Sequence, residues 1–144
     1  MRKRIQFLHP FLSSSYVIIN GIFLVVLLGV FSYSALFSAA RNNYPIPGQQ
    51  EILRGKQEIS SGLSRSFSEL VRGRIDSAIE YNEHGPRIFL FFLMQFFMRL
   101  FFLFLFVRHS RRMIWIYLDA GASIVLFLIT FWPFISRFKE VLFK

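Results

Sequence analysis

The chain has 144 residues, 54% of them hydrophobic and 20 of them Phe, and its 17 Lys or Arg against 8 Asp or Glu give a net charge of +9. So apolar a composition excludes an ordinary soluble domain and makes a membrane protein the first class to test. With no cysteine, disulfides, thiolate metal sites and thiol catalysis are excluded as well.

A helix crossing the roughly 30 Å hydrocarbon layer needs about 20 mainly apolar residues, at about 1.5 Å of rise each. The basic segment 1–15, with Arg2, Lys3 and Arg4, leads into the first such stretch, residues 16–40, "YVIINGIFLVVLLGVFSYSALFSAA", which has no charged residue. A cleaved leader is the rival reading, because basic residues precede the run and small ones follow it. The run is longer than the roughly 7–15 apolar residues of a leader's core, so a retained span is expected. Gly21, Gly29, Ser34, Ala35 and Ser38 mark a face on which another helix can approach closely.

Segment 41–87 opens with the breakers Pro45, Pro47 and Gly48 and closes with Gly85 and Pro86, punctuation around one long element. Ile52, Ile59, Leu63, Phe67 and Leu70 fall within about 80° of one another on a 3.6-residue wheel, and Val71, Ile75 and Ala78 widen the stripe. An amphipathic helix is predicted over 49–82, with Gly62 and Gly73 as the points where it would bend or break. Its polar face pairs opposite signs at helical spacing: Arg54 with Glu58, Arg65 with Glu69, Arg72 with Asp76. A helix lying on anionic lipid is usually basic, and this one is near neutral. Docking on protein is therefore preferred to a membrane-surface helix or a self-contained hairpin.

The second apolar stretch, 88–107, is interrupted by Arg99; the turn 108–112 carries Arg108, Arg111 and Arg112; the third stretch, 113–134, contains Asp119 beside the small residues Gly121 and Ala122; residues 135–144 form a short tail. The fold class expected is an all-α integral membrane protein, with three transmembrane helices and one long extramembrane amphipathic helix between the first and second.

Three crossings put the two basic clusters, Arg2, Lys3 and Arg4 with Arg108, Arg111 and Arg112, on one side. The excess of Lys and Arg in short connections assigns that side to the cytoplasm or the matrix, and segment 41–87 to the opposite face. A multi-pass protein of the bacterial or mitochondrial inner membrane fits this pattern, with anionic lipid on the basic side. Nucleic acid is not an expected partner, since no aromatic-interleaved basic groove or DNA-binding motif accompanies the charge.

Chemistry is sparse. Glu80, Glu83 and His84 lie at i, i+3 and i+4, close enough to share a metal, but no further ligand or supporting shell stands nearby, so they read as a solvated helix end. His9 and His109 read as interface residues. There is no Gly-rich phosphate loop, nucleophile elbow or zinc-protease spacing, and neither enzyme activity nor a metal or cofactor is expected.

Arg99 and Asp119 remain. A charge at the centre of a bilayer costs about 2.5–3.5 kcal/mol on insertion scales, which makes each a functional or assembly hypothesis. Arg99 lies about 12 Å from the end of its span and Asp119 about 9 Å from the start of its own, on the same side, so they can pair across a short antiparallel hairpin. Gln95 shares a face with Arg99, and Ser123 with Asp119. A structural clamp is the leading role, ahead of contact with a polar group on another subunit and ahead of proton or ion movement. These features fit a non-catalytic small subunit of a larger energy-transducing, transport or secretion complex, with other membrane subunits as partners. The alternative is a small homo-oligomeric channel with Arg99 and Asp119 near the conduction path.

Overall fold

A computed structural model of the chain describes residues 14–37, 62–108 and 112–142. Among them are five helices: α1 (Ser15–Leu36), α2 (Leu63–Val71), α3 (Ile75–Tyr81), α4 (Gly85–Arg108) and α5 (Arg112–Leu142). The fold is all-helical, and α1, α4 and residues Met113–Ser136 of α5 are each long and apolar enough to cross a membrane.

The long helices differ from expectation at their ends. Gly85 and Pro86 begin α4 instead of only closing the preceding segment, because a proline in the first turn gives up an N–H that has no intrahelical partner anyway. Glycine is required at 85 by close approach: a Cβ there would collide with the Ser66 side chain. At the other end, α5 runs past the expected boundary at 134 to Leu142, through Pro133. Proline removes one helical hydrogen bond, and the Ser136 hydroxyl, which donates to the Pro133 carbonyl at 3.0 Å, lies in the turn that follows. Most of the expected tail is therefore helix.

The chain divides into two compact units, Met1–Val26 with Phe91–Lys144, and Leu27–Leu90. In the first, aromatic rings join the helices: Phe91 meets Phe131 edge-on at 5.3 Å, Phe131 stacks on Phe127 at 4.8 Å, and Tyr16 lies against Phe106 at 4.8 Å.

In the second unit the expected single helix is instead two short ones, α2 and α3, packed on each other. Residues 49–61, with Ile52 and Ile59, lie outside the described residues. Gly62 precedes α2 at φ 75, and a Cβ on it would strike the Tyr81 carbonyl. Gly73, also at φ 75, ends α2: its N–H bonds the Leu70 carbonyl and the Arg74 N–H bonds the Glu69 carbonyl, both at 3.0 Å. That pair of bonds around a left-handed glycine is a Schellman stop, which satisfies end carbonyls that a continuing helix would have used.

The predicted stripe is buried only in part. Phe67 is buried edge-on against Phe89 at 5.3 Å, Leu63 and Leu70 are half-buried and Ala78 is buried. Val71 and Ile75, assigned to the same stripe, are instead 40% and 58% exposed. The ion pairing differs too. Buried Glu69 pairs with Arg74, and Arg72 turns away from Asp76 to donate to the Ser34 carbonyl at 3.1 Å and the Ala35 carbonyl at 2.8 Å. Those carbonyls belong to the last turn of α1, where a cation is favourably placed.

Candidate functional site

The first unit contains a polar network built from three pairs of residues one helical turn apart: Tyr16 and Asn20 on α1, Gln95 and Arg99 on α4, Asp119 and Ser123 on α5. Spacing of i, i+4 puts both members of each pair on one face, so three helices each present two polar groups in otherwise apolar sequence.

Arg99 is the hub. Its Nη1 donates to Asp119 Oδ2 at 2.6 Å and to Asn20 Oδ1 at 3.3 Å. Its Nη2 donates to Gln95 Oε1 at 3.0 Å and to Ser123 Oγ at 2.8 Å. The guanidinium also lies 5.3 Å from the Phe23 ring centroid, within cation–π range. Asp119 Oδ2 accepts a second bond from the Tyr16 hydroxyl at 2.8 Å, and Asn20 Nδ2 donates to the Tyr16 carbonyl at 2.9 Å. The pair is withdrawn from solvent, with side-chain exposures of 14% for Arg99 and 2% for Asp119. Among the described residues, Arg99 Nε and Asp119 Oδ1 have no hydrogen-bond partner.

Of the four residues selected from sequence, Gln95, Asp119 and Ser123 are thus each brought within hydrogen-bonding distance of the fourth, Arg99. Tyr16, Asn20 and Phe23 were not selected. Tyr16 is explained equally well as a headgroup-level aromatic, and the available signal was Asn20, the only carboxamide in the first apolar run, one turn after Tyr16.

The remaining candidates fall elsewhere. Gly21, Gly29 and Gly121 have open space where a side chain would stand, so the described residues make no close helix contact there. Ser34 is buried and donates to the Val30 carbonyl at 2.8 Å, Ala35 is exposed and Ala122 half-buried. Ser38, Arg2, Lys3, Arg4 and Arg111 lie outside the described residues; Arg108 is exposed in the last turn of α4, and Arg112 opens α5. Glu83 contacts His84 at 3.1 Å, Glu80 is exposed, and among the described residues no group of three or more acidic or His side chains could hold a metal ion. No family model, curated protein or solved structure matches the chain.

Proposed function

We propose that the chain is a non-catalytic, multi-pass subunit of a larger membrane assembly of the energy-transducing, transport or secretion kind, in a bacterial or mitochondrial inner membrane. One observation carries this: both terminal nitrogens of Arg99 are bonded to side chains of the same chain, Asp119, Asn20, Gln95 and Ser123. A guanidinium so engaged keys three helices into register, and a conduction path or a partner's acid would need that charge free. The exposed apolar residues that cover α1, α4 and α5 then meet lipid and neighbouring subunits.

A homo-oligomeric channel is the second reading, favoured by the buried Asp119 Oδ1, an acceptor with no bonded donor among the described residues. Native mass after gentle extraction from the protein's own membrane separates the two. A complex containing unlike chains is expected; a ring of identical chains would overturn the subunit reading in favour of the pore.

A further inference from the structure

The predicted docking stripe is partly consumed within the chain, since Phe67 is buried against Phe89. A different face is left open. On α3, Ala78 is fully buried and Ser77 half-buried, while Ile75 and Ile79 are 58% and 47% exposed and Asp76 and Glu80 are both exposed. At 100° per residue, Ile75 and Ile79 form one row about 80° round the helix from Ala78, and Asp76 and Glu80 form a second row about 160° from it, on the far side. Two large aliphatic side chains displayed together on a short helix outside the spanning segments call for a cover.

We propose that this face of α3 is a docking surface for the juxtamembrane segment of an unlike subunit, a segment that sets Lys or Arg beside an apolar stripe. The idea rests on the subunit reading above. Charge complementarity selects the occupant. Asp76 and Glu80 stand along one side of the isoleucine row, so a cationic partner is drawn to that edge while its apolar side chains cover Ile75 and Ile79. An anionic lipid surface would meet the same carboxylates with repulsion. The location is juxtamembrane because the Arg72 guanidinium, three residues before Ile75, is bonded to the Ser34 and Ala35 carbonyls at the end of α1.

The test uses the full chain in its native membrane, extracted in mild detergent, with native mass as the readout. Asp76→Lys with Glu80→Lys should cut the fraction of chain held in the heteromeric complex by about tenfold or more, because two like-charge contacts replace two favourable ones. The near-isosteric pair Asp76→Asn with Glu80→Gln changes only exposed side chains; it should weaken the complex less, and added salt should weaken the wild-type complex more than this variant's. A wild-type heteromer that is indifferent to both double changes overturns the docking surface and leaves the subunit reading standing. A wild-type chain that migrates alone or as identical copies overturns both. In Ile79→Trp, fluorescence quenched by brominated phospholipid would place the face on lipid and also overturn the proposal.

Discussion

Arg99 joins three helices through one side chain, and the strength of its bonds follows their geometry. The 2.6 Å contact with Asp119 joins opposite charges, whereas the 3.3 Å contact with Asn20 is long and has a neutral acceptor. Removing one partner of a buried pair strands the other charge and typically costs about 3–5 kcal/mol. Arg99→Met and Asp119→Leu should each destabilise the protein on that scale in a micellar unfolding titration, and the double variant should recover much of the loss. Strictly additive changes would mean that the two side chains do not interact. Asn20→Leu should cost far less, about 0.6 kcal/mol, the average for a hydrogen bond between membrane helices. Four of the six polar members were legible in the sequence because a charge inside an apolar run announces itself and the helical period supplies its neighbour at i±4. Tyr16 and Asn20 were not, because pairing across helices far apart in sequence leaves no local periodicity.

At the scale of elements, the two glycines of the second unit do different work. Ala at Gly73 must adopt φ near 75 and loses about 1–2 kcal/mol, but meets no neighbouring atom. Ala at Gly62 adds to the same backbone strain a collision with the Tyr81 carbonyl. Gly62→Ala is therefore expected to raise amide exchange across α2 and α3 more than Gly73→Ala does; the reverse order would mean that the α2–α3 packing does not depend on that close approach. The glycines were legible as weak points. The inward face of α3 was legible only in part: Ala78, placed in the predicted stripe, is buried, whereas Ile75, at the edge of that stripe, is exposed. The long reach of Arg72 was hidden: besides Ser68, one turn earlier, its acceptors are backbone carbonyls 37 and 38 residues away, and carbonyls have no sequence identity.

For the molecule as a whole, three long apolar helices were readable from length and hydropathy alone, because a bilayer imposes a minimum span. Threading is a prediction from charge: residues before α1 and the 109–111 connection on one side, α2 and α3 on the other. Cysteines introduced at Ser64 and Ser110 should react with an impermeant reagent from opposite faces of sealed vesicles, and labelling of both from one face would overturn the threading. The joining of Arg99 to Asp119 also predicts an order for biogenesis. α1 carries no charge from Ser15 to Leu36 and can partition into lipid as soon as it is made. α4 and α5 each hold a residue that resists entry by about 2.5–3.5 kcal/mol on insertion scales when it is unpaired. Joined by only residues 109–111, α4 and α5 are expected to enter the bilayer as a pair, with Arg99 and Asp119 neutralising each other, after α1 has supplied Tyr16 and Asn20.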